Sequence, residues 1–184
     1  MNRQDHQKIA LQPFQREKSP QDCGIIVLFS IDKTVLQVVF NLTARLDDLA
    51  IPEFEPSKAQ RRDNLWEHTC FEVFLGRENR PDYWEFNFSP SGDWNVWSFS
   101  GYRQGMQPET CFPEFPFEVK MLSESKLRVE ISIDLNMLSV FSGLDTGISV
   151  VLEEKNGEKS YWALSHPGKA PDFHAREGWL KIRY

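Results

Sequence analysis

The chain has 184 residues, with 21 lysines and arginines against 27 aspartates and glutamates, which gives a formal net charge of −6. The longest basic run is Arg61–Arg62, so the sequence lacks the clustered positive charge that a nucleic-acid partner or an anionic membrane surface requires. Because no apolar segment approaches the roughly 20 residues of a membrane-spanning helix, we expect neither a nucleic-acid nor a membrane partner.

Residues 1–23 are polar and lack the apolar stretch of a secretory signal. This segment is predicted to be an N-terminal extension or an edge strand built on the apolar positions Ile9, Leu11 and Phe14. The three cysteines of the chain are an odd number without a closely spaced pair, which argues against a disulfide framework. These features together predict a cytoplasmic protein with reduced thiols.

Two strands follow, GIIVLFSI from Gly24 and TVLQVVFNLTA from Thr34, and the short polar link at Asp32–Lys33 predicts that they pair as a hairpin. Residues 45–65 carry two prolines and many charges without a sustained period. Loops of about this length are uncommon inside compact domains and often serve function.

An aromatic block follows Trp66. Three strands are predicted in it, over Thr69–Leu75, Tyr83–Ser89 and Trp94–Gly101. Successive side chains of a strand point to opposite faces, so each of these strands has one strongly apolar face for a core. The opposite faces of the first two strands combine aromatic residues with carboxylate and amide groups.

The rest of the chain is also rich in strand signals. The predicted strands are Phe117–Leu122, Lys126–Asp134, Gly147–Glu154, Lys159–Leu164 and Trp179–Tyr184. Asn156–Gly157 is a hairpin turn signal, and Asp134 is placed to cap one helical turn over residues 134–141. About nine or ten short strands and almost no helix predict a single all-β sandwich domain over residues 1–184.

Four residues of the aromatic block suggest a ligand site. Trp66 precedes the first strand, and Glu72 lies six residues further on. Glu85 and Asn87 share one face of the next strand, where cross-strand neighbours converge. An indole stacks on the apolar face of a sugar ring while carboxylate and amide groups bind its hydroxyls, so this set favours a neutral carbohydrate or a sugar-like small molecule.

Trp162 and His166 open the late loop and are predicted to form a second wall of the same site. The alternative for each tryptophan is ordinary core packing, because aromatic side chains contribute so much buried area. For the polar residues, the alternative is a solvent-exposed face.

We expect no bound cofactor. No metal-binding spacing such as HExxH occurs, and loop histidines more often form hydrogen bonds. Haem remains an alternative with Met106, His68 and His166 as nominal ligands. Calcium is the other alternative, on the weak hint of Asp47–Asp48 and Asp63.

We expect no enzymatic activity either. The sequence has no GxSxG, no P-loop and no cysteine with a nearby base. Glu72 and Glu85 leave one alternative open, because a pair of carboxyl groups is what glycoside hydrolysis requires.

Three stretches, WEHTCFEVFLG, YWEFNFSPSGDWNVWSFSGYR and YWALSHPGKAPDFH, resemble the bacterial DOMON-like proteins. These are related to the family-nine carbohydrate-binding modules of xylanases and to the haem- or sugar-binding DOMON domains. The resemblance covers residues from about Ile25 to the C-terminus. It implies a jelly-roll-like antiparallel β-sandwich with the ligand site on one sheet.

In the xylanase modules, two tryptophans sandwich the terminal sugar while a glutamate and amide groups bind its hydroxyls. Trp66 and Glu72 match the first tryptophan and its glutamate in order and spacing, and Trp162 is the best match for the second. The resemblance thus implies a non-catalytic ligand-binding module. A haem-binding or redox-associated domain and a protein-interaction sandwich are the alternatives.

Overall fold

The computed structural model describes residues 7–140 and 143–182. Thirteen strands occur in these residues, together with six short 3-10 turns and no α-helix. The strands are β1 (Gln7–Ala10), β2 (Gln12–Pro13), β3 (Gly24–Asp32), β4 (Val35–Thr43), β5 (Cys70–Arg77), β6 (Tyr83–Phe88), β7 (Trp94–Phe99), β8 (Gln107–Pro108), β9 (Glu118–Ser123), β10 (Lys126–Asp134), β11 (Leu144–Glu153), β12 (Lys159–Ala163) and β13 (Leu180–Ile182). Within the same residues, no helix is long and apolar enough to cross a membrane.

The strands form two antiparallel sheets. The smaller has the order β1-β3-β4-β10-β9, and the larger has the order β2-β12-β11-β5-β6-β7-β8. Strands β12 and β13 follow one another along one edge of β11, while β5 occupies its other edge. The two sheets pack against each other through a shared core, so the prediction of an all-β sandwich is confirmed.

Alternation along each strand builds this core. The residues of β10 that were predicted to face inward are all buried, and they are Leu127, Val129, Ile131 and Ile133. The apolar faces of β5 and β6 meet them from the other sheet with Phe71, Val73, Leu75, Trp84, Phe86 and Phe88. The core therefore follows directly from the period of two in the sequence.

Local turn signals are also confirmed. Asp32 pairs with Val35, which closes the β3–β4 hairpin at the predicted position. The β11–β12 hairpin turns at Asn156–Gly157, and the positive φ of 87° at Gly157 suits a residue without a side chain. The Asp134 side chain accepts a hydrogen bond from the backbone N–H of Asn136 at 3.0 Å and caps a 3-10 turn.

Some boundaries differ from the prediction. Strand β11 begins at Leu144, three residues early, because Leu144–Thr146 pairs with both β5 and β13. The count exceeds nine or ten because the short strands β2 and β8 carry little sequence signal. Strand β1 forms an edge of the smaller sheet within the predicted N-terminal segment. Residues 1–6, Phe141, and the last two residues of the predicted strand Trp179–Tyr184 lie outside the described residues.

Candidate ligand-binding cleft

The outer face of the larger sheet, which points away from the core, is partly covered. Every residue of β6 is buried, and so is every residue of β5 except Arg77. A second hydrophobic cluster explains this burial on both faces, with Phe74, Tyr83, Trp97 and Phe99 from the sheet and Trp66, Phe173 and Trp179 packed against them. Two of these residues belong to residues 165–179, which we call the covering loop.

Two strand glycines give the covering loop its place on the sheet. A Cβ atom at Gly147 would lie 2.6 Å from Nε1 of Trp179, and one at Gly76 would lie 2.6 Å from Nη2 of Arg176. The indole of Trp179 also donates a hydrogen bond from Nε1 to the carbonyl of Phe173 at 2.8 Å. The indole and the guanidinium therefore approach the backbone as closely as only glycine permits.

Arg176 anchors the covering loop to the strands beneath it. Its Nη2 donates to the carbonyl of Arg77 at 2.8 Å and to Oδ2 of Asp145 at 2.6 Å, and its Nη1 donates to the carbonyl of Arg80. The guanidinium thereby ties the loop to β5, to the following turn and to β11. This anchoring holds the neighbouring residues Phe173 and His174 over the sheet.

Beside the covering loop, the outer face opens into a cleft of about 360 Å³, a volume within the range of small-molecule sites. Its lining comes from the sheet, from the turn at Leu65–Glu67, from the segment after β7 and from the covering loop. The lining residues are Trp66, Glu72, Phe74, Glu85, Phe99, Arg103, Met106, Val151, Tyr161, Pro171, Phe173 and His174.

Two glutamates lie on the sheet surface of the cleft. Glu72 is opposite Asn87 and Glu85 is opposite Phe74, so the two carboxyl groups occupy diagonal positions on neighbouring strands. The Ser149 hydroxyl donates to Oε2 of Glu72 at 2.9 Å, and the Asn87 amide donates to Oε1 of Glu85 at 2.8 Å. Only 2% of Glu72 and 5% of Glu85 are exposed to solvent.

Burial controls the protonation of both groups. It raises the pKa of Glu72 well above its usual range, and the neighbouring Glu85 raises it further. Burial also raises the pKa of Glu85 to about 7, against the opposing effects of the Asn87 hydrogen bond and the Arg103 charge. Near neutral pH, Glu85 is therefore close to half ionised.

His174 approaches Glu85 from the covering loop. Its Nε2 lies 3.7 Å from Oε2 of Glu85, and its Nδ1 lies 2.7 Å from the Tyr83 hydroxyl. That hydroxyl accepts the backbone N–H of Arg103 at 3.1 Å, which leaves its own proton for Nδ1. Burial lowers the pKa of His174 to about 4, so the ring is neutral near pH 7 and presents Nε2–H towards Glu85.

Arg103, the one lysine or arginine that the described residues contribute to the cleft lining, already has an acidic partner. Arg103 donates from Nη2 to Oδ1 of Asp172 at 2.9 Å, and the Tyr102 hydroxyl donates to Oδ2 of the same carboxylate at 2.6 Å. Although burial alone raises the pKa of Asp172, these hydrogen bonds lower it. The pair therefore links the segment after β7 to the covering loop as an ion pair.

The structure brings together only some of the residues predicted for the site. Trp66, Glu72 and Glu85 all line the cleft. Asn87 is fully buried beneath the cleft and does not line it, but its amide donates a hydrogen bond to Glu85, which does. The role of these four residues in binding stays a prediction.

The predicted second wall is wrong. Trp162 is 2% exposed and belongs to the core between the sheets, because residues of β12 alternate between faces and Trp162 faces inward. Its neighbour Tyr161 faces the cleft instead. His166 lies outside the cleft, with Nε2 2.9 Å from the carbonyl of Gln12.

Sequence reasoning missed Tyr161, Arg103, Phe173 and His174 as cleft residues. Arg103, Phe173 and His174 come from loops whose position depends on contacts distant in sequence. One usable signal existed, because a glycine inside an apolar strand marks the close approach of another group. Gly147 is such a residue, and Trp179 covers it.

The residues named for haem or metal do not converge. Met106 lines the cleft, whereas His68 lies 2.7 Å from a carboxylate oxygen of Glu153 outside it and His166 contacts Gln12. Among the described residues, no group of three or more His, Cys, Asp or Glu is placed to hold a metal ion. The three residues named for haem therefore do not share the cleft, and the cofactor expectations stay predictions.

No protein-family model matches the chain, and no curated protein matches it. The fold does occur among solved structures. A protein of Bacteroides uniformis proposed to bind carbohydrate superposes with a TM-score of 0.70 at 10% identity, covering 97% of this chain and 86% of its own. A family-9 carbohydrate-binding module of Caldicellulosiruptor kristjanssonii has also been solved with two sugars.

The complex of that module with glucose gives a TM-score of 0.52 at 14% identity, with 90% of this chain and 78% of the module covered. The complex with cellotriose gives a TM-score of 0.53 at 13% identity, with 98% of this chain and 81% of the module covered. What these proteins share with the chain is the fold. The more specific resemblance to DOMON-like proteins stays a prediction.

Proposed function

We propose that this protein is a non-catalytic binding module for a small carbohydrate or sugar-like molecule, and that its ligand occupies the cleft on the larger sheet. One observation carries the proposal: Trp66, Tyr161 and Phe173 surround the two carboxyl groups of Glu72 and Glu85 in a single cleft. Aromatic rings supply apolar contact for the C–H faces of a sugar. Carboxyl groups supply hydrogen bonds for its hydroxyls.

The carboxyl groups have free capacity for such hydrogen bonds. Glu72 uses Oε2 for Ser149 and Glu85 uses Oε1 for Asn87, which leaves one oxygen of each group without a hydrogen bond in the described structure. The solved family-9 modules add support at the level of the fold, because one fold carries a bound glucose or cellotriose there. Fold alone does not specify function, so the argument depends on the cleft.

The expected affinity is modest. A hexose has about 12 non-hydrogen atoms, and about 0.3–0.5 kcal/mol per atom gives about 4–6 kcal/mol of binding free energy. This corresponds to a Kd between about 1 mM and 40 μM. The titration therefore has to reach tens of millimolar sugar.

Saturation-transfer NMR and calorimetry with glucose, glucosamine, N-acetylglucosamine and cellobiose test the proposal. We expect at least one of these sugars to bind, and Trp66→Ala to weaken that binding at least fivefold. Met121→Ala is the matched control, because Met121 is 60% exposed on β9 of the other sheet. The absence of binding by all four sugars at tens of millimolar, or equal binding by the two variants, contradicts the proposal.

One observation favours a second candidate, hydrolysis of a glycosidic bond. Burial raises the pKa of Glu85 to about 7, and burial together with the charge of Glu85 raises the pKa of Glu72, so the pair favours one ionised and one protonated carboxyl group. That division of roles is what glycosidases require. The test is the release of nitrophenol from nitrophenyl glycosides between about pH 6 and 8. If the wild-type protein shows this activity and both Glu72→Gln and Glu85→Gln lose it, the protein is an enzyme and not a non-catalytic binding module.

A further inference from the structure

The charges around the cleft do not balance. Glu72 and Glu85 line the cleft, and Asp172 lies beside it in contact with Arg103. Among the described residues, Arg103 is the only lysine or arginine in the lining. Its guanidinium is already bonded to Asp172 at 2.9 Å. His174 supplies no positive charge near neutral pH, because burial lowers its pKa to about 4. The two glutamates are therefore left without a dedicated cation in the described part of the chain.

The unused carboxyl oxygens are accessible from the cleft. Oε1 of Glu72 makes no hydrogen bond within the described residues, yet it is not among their fully enclosed polar atoms. Oε2 of Glu85 also makes no hydrogen bond within the described residues, because Nε2 of His174 lies 3.7 Å from it, beyond hydrogen-bond distance. A buried carboxylate without a partner is unfavourable by several kcal/mol, so a donor that carries positive charge gains most at this position.

The aromatic lining favours the same kind of ligand. Trp66, Phe74, Phe99, Tyr161 and Phe173 enclose the cleft around the two carboxyl groups. An ammonium group close to aromatic faces is attracted by their quadrupoles, and the attraction increases when the site excludes water. The hydroxyls of a neutral sugar would not gain this contribution.

We propose that the cleft selects a sugar that carries a protonated amino group, a hexosamine, over the neutral parent sugar. The amine would lie between the free oxygens of Glu72 and Glu85, and the ring would contact the aromatic lining. This inference rests on the proposed function and specifies its ligand class.

The inference makes a prediction about protons. The titratable groups near Glu85 are Glu72 and Cys70 from β5, Tyr83 from β6, His174 from the covering loop and, at longer range, Arg103. A bound ammonium adds a positive charge to this set and lowers the pKa of Glu85 from about 7. Near pH 7, binding of the ammonium form of glucosamine therefore releases a fraction of one proton from Glu85, less the proton taken up by any unprotonated amine, whereas binding of glucose does not shift the pKa of Glu85 in this way.

Calorimetric titrations of the whole chain at pH 7 with glucosamine, N-acetylglucosamine and glucose test the inference. Because a hydrogen bond to a charged group is stronger than a neutral one, we expect glucosamine to bind about 10- to 100-fold more tightly than the two neutral sugars. Repetition in buffers with different heats of ionisation measures the released proton.

Variants show whether the glutamates cause the preference. Glu85→Gln and Glu72→Gln keep the size of the side chain, and we expect each to reduce the ratio of glucosamine to glucose affinity at least fivefold. Glu118→Gln on the exposed strand β9 is the control and leaves the ratio unchanged. Thermal melting verifies that each variant is folded.

Two outcomes distinguish the inference from the proposed function. Equal affinity for glucose and glucosamine overturns the amine preference and leaves the sugar-binding module in place. No binding of any of the three sugars overturns the inference, and the proposed function is overturned with it if cellobiose also fails to bind. A preference for glucosamine that persists in both Glu72→Gln and Glu85→Gln also overturns the inference, because the two carboxyl groups would not be its cause.

Discussion

Replacing Gly147 by alanine tests how the covering loop is held on the sheet. A Cβ atom at this position would lie 2.6 Å from Nε1, 2.8 Å from Cδ1 and 2.8 Å from Cε2 of Trp179. The indole cannot move freely, because its ring centroid lies 5.5 Å from that of Phe74 and 5.6 Å from that of Tyr83. The added methyl group must therefore displace a packed ring or the strand itself.

The expected loss of stability follows from these contacts. Forcing an extra carbon into a packed site costs about 1–3 kcal/mol. Displacement of Trp179 also breaks its 2.8 Å hydrogen bond to the carbonyl of Phe173, which contributes about 1 kcal/mol. The lower chain entropy of unfolded alanine returns about 0.5 kcal/mol. We expect the free energy of unfolding to fall by about 1.5–3.5 kcal/mol.

Urea denaturation followed by circular dichroism measures this loss. Gly24→Ala is the matched control, because Gly24 also lies in a strand and a Cβ atom there would meet nothing within 4 Å. We expect the control to be within about 0.5 kcal/mol of wild type. If Gly147→Ala unfolds with the same free energy as Gly24→Ala, the close approach of Trp179 does not hold the covering loop.

Two further predictions concern strands β12 and β6. Trp162→Ala removes a core side chain and should lower the free energy of unfolding by about 3–5 kcal/mol. Tyr161→Ala should lower it less and should also weaken sugar binding. If urea denaturation shows that Tyr161→Ala loses more stability than Trp162→Ala, the assignment of the two side chains to opposite faces is contradicted. Between pH 4.5, the usual pKa of a glutamate, and about pH 7, Glu85 is protonated in the folded protein but ionised in the unfolded chain. The folded state is therefore favoured by low pH, and the contribution of Glu85 to stability falls as the pH rises through this window. The stability of Glu85→Gln relative to wild type should therefore increase by about 1–3 kcal/mol between pH 4.5 and 7, and a constant difference contradicts the raised pKa.

Alternation within each strand could be predicted from the sequence alone. The inward set of β10 and the two faces of β5 and β6 follow from a period of two. The hairpin turns and the Asp134 cap depend on residues only a few positions apart. Glu72, Glu85 and Trp66 lie within 20 residues of one another, so their convergence was within reach of the sequence as well.

The prediction of the second wall named the residue next to the one that lines the cleft. Trp162 and Tyr161 are adjacent in β12, and a strand directs neighbouring side chains to opposite faces. Both are large aromatic residues, so neither composition nor local propensity identifies the inward one. Pairing of Val150 with Trp162 across β11 and β12 makes the choice, and that contact exists only in the folded sheet.

The sequence by itself determined an all-β sandwich and located the two carboxyl groups, because both depend on short-range patterns. Only the tertiary structure decided that the outer face of the larger sheet is a cleft. The covering loop reaches that face through Arg176 and Trp179, which contact strands some 30 and 100 residues earlier in the chain. Such contacts bury Glu85 and place His174 beside it, and burial is the physical cause of the raised pKa.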